Sequence, residues 1–354
     1  MKKFKISATL LLSMLAFQYC SKKSNPLDDA AITLTTPVLP AVAYNYLVTF
    51  PAHVQTALAQ TDNTPTNNPI TNDGATLGRV LFYDRQLSKN NTVSCGSCHK
   101  QEFAFDDNAA LSKGFEGGLT TRNSMAILNI RFYKGGKMFW DERAISPEKQ
   151  ALEPIQNHVE MGLTLTELET KVKALSYYPS LFEKAFGSNQ IDSIKIARAL
   201  SQFERSIVTY QAKYDRVKQG TETFTTAEAL GEQLFLTAGG PTTCASCHTP
   251  PMFITSTPLQ GFGLRDANDT GINGQNRFKS GSLRNIANRT KLFHNGSIEN
   301  IQQMLSAGSP GTNLPPIPQH SVAPQDVQNI IAFLNSLTDN TILSEAKFSN
   351  PFTK

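Results

Sequence analysis

Two stretches of this 354-residue chain follow one order: Leu77-Gly78-x-x-Leu81-Phe82 leads to Cys95-x-x-Cys98-His99, and Leu230-Gly231-x-x-Leu234-Phe235 leads to Cys244-x-x-Cys247-His248. A repeat this sharp implies two related units in tandem, joined near Tyr210 to Phe224.

Each Cys-x-x-Cys-His pentad is the layout that attaches a c-type haem. The two thiols form thioethers to the porphyrin vinyl groups, and the adjacent histidine ligates iron from the proximal side. Structural zinc takes four ligands, normally from paired clusters, and a disulfide has no use for the histidine. The reading is therefore two covalent c-type haems, bound by Cys95, Cys98 and His99 and by Cys244, Cys247 and His248. His99 and His248 are the proximal iron ligands.

The remaining sequence is mainly α-helical. Helical periodicity runs over Leu165 to Ala174, Ile191 to Tyr210 with Asp192 or Ser193 as N-cap, Thr226 to Leu236 and Pro324 to Leu337, and strand-like alternation is scarce. Length and a hydrophobic content of 40% suit two domains with real cores. The polar stretch from Thr61 to Gly74 reads as a surface loop.

Lys2, Lys3 and Lys5 precede an apolar run from Ile6 to Phe17, too short to span a bilayer, which is the pattern of a bacterial export signal. The net charge of +4, less those three lysines, leaves the rest near +1, so nucleic acid is not an expected partner. Cys20, the one cysteine outside the pentads, stands where a lipoprotein carries its lipid. The expected layout is an export signal over 1–20, a tether over 21–43, a first haem domain over 44–212 and a second over 213–345. The expected location is the periplasm, with a membrane anchor through Cys20.

From about Leu77 to Leu337 the sequence resembles the bacterial dihaem cytochrome c peroxidases and the related MauG group. The resemblance rests on LGRVLFYDRQLSKNNTVSCGSCH, RNSMAILN, FWDERA followed by EKQALEPIQNHVEMG, LGEQLF with its CASCH, and LRNIANRTKLFHNGS. It implies two tandem cytochrome c-like domains, with peroxide reduced at the first haem and electrons entering through the second.

The resemblance assigns Gln150 and Glu160 to the open face of the first haem. Splitting the O–O bond heterolytically requires a proton to move from one oxygen to the other, which a carboxylate in a partly apolar pocket can do. A solvated loop carboxylate is the plainer reading of Glu160. Trp140, the single tryptophan, matches the family's tryptophan between the haems, although core packing would also use it. Phe139 is expected to line the same pocket. His294 is expected to support structure near the second haem.

Several positions depart from the family's pattern. A histidine that caps the first iron in many relatives is replaced by Phe115, which implies an iron open without prior reduction. His158 is the substitute ligand to suspect. On the second haem the family's distal Met or Tyr position is Gly308. Met304, Met252 and His320 are the candidates, with Met304 also readable as core. Asn123 matches a ligand of a bridging calcium ion, but Arg289 to Lys291 stand where the other contacts would be.

The implied partners are hydrogen peroxide and a small cytochrome c or cupredoxin, with a homodimer as the family's habit. The rivals are a MauG-like oxidase of a protein or organic substrate and a non-catalytic electron carrier.

Overall fold

Each expected helix forms, and its ends follow local capping chemistry. The computed structural model describes residues 35–237, 243–254, 269–275, 277–307, 320 and 322–353. The export signal, Cys20 and Gly308 lie outside the described residues.

The main helices are α1 (Ala52–Thr61), α2 (Asn72–Tyr83), α3 (Leu165–Ala174), α4 (Tyr178–Phe186), α5 (Ser193–Ser206), α6 (Thr226–Thr237) and α7 (Val327–Asn335). Among the described residues there are isolated β-bridges and no strands. A capping box starts α3, where Glu167 Oε2 accepts from Thr164 N at 2.8 Å and Thr164 Oγ1 accepts from Glu167 N at 3.2 Å. Asp192 caps α5 by accepting from Lys195 N at 2.7 Å. That helix stops at Ser206 rather than Tyr210 because Asn129 captures the chain beyond it. Asn129 N donates to Ile207 O at 3.0 Å, and its Oδ1 accepts from Thr209 N at 3.0 Å.

The two units are built on the same helix crossing. In the first, α2 lies on α5 so closely that a Cβ on Gly78 would meet the Ala199 carbonyl and Phe203 Cβ. In the second, α6 lies on α7, and a Cβ on Gly231 would meet the Asn329 carbonyl and Phe333 Cβ. Matching rings fill both crossings: Phe82 meets Phe203 at 5.3 Å, and Phe235 meets Phe333 at 5.4 Å. Helices α3 and α4 complete the first core with Leu168, Val172 and Phe182, while Ile298 and Ile301 join the second.

The stretch from Thr61 to Gly74 is a loop only in part, and much of it is not at the surface. Asn68 is buried, donating to Glu148 Oε1 at 3.0 Å and Ser201 Oγ at 3.1 Å and accepting from Gln202 Nε2 at 2.8 Å. Buried backbone needs such partners, and α5 provides them. In the stretch read as a tether, Val38 N donates to Pro351 O at 2.8 Å and Leu39 packs on the first core. The chain's end returns to the same core: Ile342, Phe348 and Phe352 are buried there, and Tyr83 Oη donates to Phe348 O at 2.7 Å.

A buried ion pair within the second unit is reached by a histidine of the first. Arg284 donates to both Asp215 oxygens at 2.7 Å with neither side chain exposed, and His53 Nε2 lies 2.8 Å from Asp215 Oδ1. Burial works against the charged carboxylate, yet Arg284 and His53 hold Asp215 below the ordinary range. Among the described residues no helix is long and apolar enough to cross a membrane.

Gly78→Ala and Gly231→Ala should each destabilise the protein by about 1–3 kcal/mol, because the added methyl has a backbone carbonyl in its way. Chemical denaturation of the holoprotein measures this. Unchanged midpoints would mean that the crossings are looser than described.

Candidate haem sites

Both pentads form a single helical turn, Cys95–Cys98 and Cys244–Cys247. Local side chains close both turns: Ser97 inside the first reaches back, its Oγ accepting from Ser94 N at 3.0 Å, and Thr243 before the second accepts at Oγ1 from Ser246 N at 3.2 Å. One turn places the cysteines three residues apart on a common side, with the histidine directly following.

In the first unit, His99 Nδ1 donates to Phe105 O at 3.2 Å, which directs Nε2 away as a free ligand atom. Phe105 adopts a left-handed backbone, φ 58°, to offer that carbonyl. The second unit repeats the device. His248 Nδ1 lies 2.9 Å from Ser280 Oγ and also bonds the backbone of Phe253, whose φ is 51°. Such a backbone costs about 1–3 kcal/mol for a residue with a side chain, and both instances lie against an expected iron ligand.

Burial keeps both imidazoles neutral, as ligation requires. It pushes His99 down against the pull of the Phe105 carbonyl, and pushes His248 down to about 3 with His320 adding to the effect. Burial likewise pushes the Cys98 thiol up to about 11. Cys95, Cys98 and Cys244 form no disulfide. The second pentad opens onto a cavity of about 1330 Å³, solvent at its mouth included. Its walls include Trp140, Phe293, Met304 and His320. Half-buried thiols, oriented imidazoles and this apolar space suit a covalent haem.

Glu160 lies beside the first pentad, close enough for its charge to act on both Cys95 and Cys98. Burial pushes its carboxyl up, and the Arg143 guanidinium partly opposes this. Phe115 backs the same segment: Phe115 N donates to Glu160 O at 3.0 Å, and its ring covers Gly162. Gln150 ends the short turn Pro147–Gln150, half-buried and not hydrogen-bonded to Glu160. His158 is exposed.

Trp140 lines the second cavity, and its Nε1 donates to Asn123 O at 2.8 Å. Phe139, expected beside it, instead packs under the Arg143 guanidinium at 3.6 Å. Phe139, whose φ is a left-handed 69°, is not among the residues that line the second cavity. His294 O accepts from Asn123 N at 2.7 Å, and its ring stacks on Phe278 at 3.7 Å, a structural placement. The Asn123 side chain, expected beside a cation, donates to the carbonyls of Ala109 and Ala110, each at 3.1 Å. Met304 is buried in the second core with Ile301 and Leu305 as well as lining the cavity. Met252 packs elsewhere, with Phe50, Val54 and Tyr133.

The chain is similar to known proteins along most of its length. A family model described as di-haem cytochrome c peroxidase matches residues 72–223. The methylamine utilization protein MauG of Methylorubrum extorquens is 30% identical over 77% of this chain and 80% of its own. The cytochrome c551 peroxidase of Nitrosomonas europaea is 31% identical over 76% of this chain and 81% of its own. This chain belongs to the di-haem cytochrome c peroxidase and MauG family. A solved MauG-like protein associated with microbial copper homeostasis aligns with a TM-score of 0.72 at 27% identity, covering 87% of this chain and 99% of that one. The family carries two c-type haems on tandem cytochrome c-like domains, and both attachment sites are present here.

Two further charged groups belong to these dihaem sites and are absent from the sequence reading. Glu204 on α5 is buried, near enough to raise the Cys95 thiol, and burial pushes its own carboxyl up to about 8. Its signal was its place on the apolar face, one turn after Leu200. Lys279 is buried in the wall of the second cavity, its Nζ 2.7 Å from Lys137 O and 3.9 Å from the Tyr133 ring centre. Burial pushes it down to about 7 against the pull of Glu142.

Ser280→Ala should raise the reduction potential of the second haem and leave the first unchanged, because His248 loses one of the two partners, Ser280 Oγ and the Phe253 backbone, that make its imidazole a stronger donor. Spectroelectrochemical titration measures both potentials. Mass spectrometry of the denatured chain should find two haems, and one in Cys95→Ala/Cys98→Ala.

Proposed function

We propose that this protein reduces hydrogen peroxide to water outside the cytoplasm, with two electrons delivered singly by a small cytochrome c or cupredoxin. Glu160 is the observation that supports it best: a carboxyl raised by burial, held against the first pentad and backed by Phe115. A non-catalytic carrier would have no use for that acid.

Haem at His99 would supply the centre at which the O–O bond is cleaved, and haem at His248 the store for the second electron. Glu160, as carboxylate, takes the proton from the nearer peroxide oxygen and returns it to the departing one. Two further protons and two electrons complete two waters. The Arg143 guanidinium opposes the rise that burial imposes on the Glu160 carboxyl. Gln150 holds the peroxide by hydrogen bonding. Phe115 offers no ligand atom, so turnover should need no prior reduction. Trp140, fixed by Asn123 O in the wall of the second cavity, carries electrons between the haems.

A MauG-like oxidation of a protein or organic substrate would use the same acid, so steady-state assay separates the two. The as-isolated oxidised protein should turn over peroxide with reduced cytochrome c at once. A lag removed by pre-reduction would show another residue capping the iron, and absence of turnover would favour the oxidase. Glu160→Gln should lower turnover by about 10²–10⁴-fold with both haem spectra retained. The base must be deprotonated and its carboxyl is raised by burial, so activity should fall with acid at a pH above the ordinary 4.5. A wild-type rate in Glu160→Gln rejects the acid–base assignment.

A further inference from the structure

The second cavity contains a histidine that the family resemblance does not assign. His320 faces His248 across it, the two ring centres 6.4 Å apart and their planes inclined by 55°. Metal–nitrogen bonds of about 2 Å on each side, with about 1 Å from each nitrogen to its ring centre, give about 6 Å between imidazoles sharing one metal ion. The observed separation of the ring centres, 6.4 Å, is close to that value.

Other contacts agree with this placement. His248 has its Nδ1 occupied by Ser280 Oγ at 2.9 Å, which leaves Nε2 for metal. His320 is held by the edge of Phe293 at 5.7 Å, and its Nδ1 is buried without a hydrogen-bond partner. A buried imidazole nitrogen with no hydrogen-bond partner among the described residues is costly unless the ring's other nitrogen has a strong partner. Met304, the rival on the same cavity, is already packed among Ile301, Leu305 and Ile330 in the core. Met252 does not line the cavity, since it belongs to the cluster around Phe50 and Val54.

We propose that His320 is the distal ligand of the second haem, which is therefore bis-histidine. This rests on His248 as a haem ligand and on nothing in the peroxide chemistry. Methionine opposite histidine raises a haem's potential, so the second haem has a lower potential than the methionine expectation gives.

The test reads the oxidised holoprotein by electron paramagnetic resonance and near-infrared absorption, so a failed peroxide assay leaves it intact. The wild type should lack the near-infrared band of a methionine sulfur on iron, and Met304→Leu should leave the low-spin signal of the second haem unchanged. His320→Gly should convert that signal to high spin, and added imidazole should restore it, which also shows that the variant is folded. His320→Met should gain the sulfur band and a higher potential. A sulfur band in the wild type that disappears in Met304→Leu, or a low-spin signal unchanged in His320→Gly, overturns the proposal.

Discussion

A helix can bring its backbone against a neighbour only where no side chain stands between them, and this protein uses that constraint twice. Gly78 and Gly231 let α2 and α6 touch the backbones of α5 and α7, and the glycine lies one turn before the phenylalanine that anchors each core. Each pentad turn follows its glycine-bearing helix after a connecting segment, so the crossing and the attachment motif lie on one stretch of chain.

The duplication goes much further than the repeated sequence shows. Phe105 and Phe253 turn left-handed beside the two histidines, Asn129 and Asn285 do so before matching helical turns, and Phe139 and Phe293 do so inside matching bridged loops. In that correspondence Trp140 of one unit occupies the place of His294 in the other, and both bond the backbone of Asn123. One ancestral loop thus contributes an aromatic wall to the second cavity from one unit and a stacked structural histidine from the other.

The pentads, the helix-forming stretches and the capping residues were legible because each is a contiguous pattern whose chemistry needs no distant partner. What remained hidden depends on distant partners. The early end of α5 is decided by Asn129, far away along the chain. The burial of Glu204 and Lys279 depends on which surface their segments meet, and periodicity places a residue on a face without saying what covers it. The left-handed phenylalanines carry no glycine or asparagine to announce them. His320 was one of three candidates in the sequence, and only the fold brings its ring within 6.4 Å of that of His248.

The first core is begun by residues near 46 and closed by Ile342, Phe348 and Phe352. The segment that covers the inner faces of Tyr83 and Phe203 therefore comes from beyond the whole of the second unit in the sequence. The first unit cannot close its core from its own contiguous stretch alone, and the second unit is enclosed, along the chain, between two parts of the first.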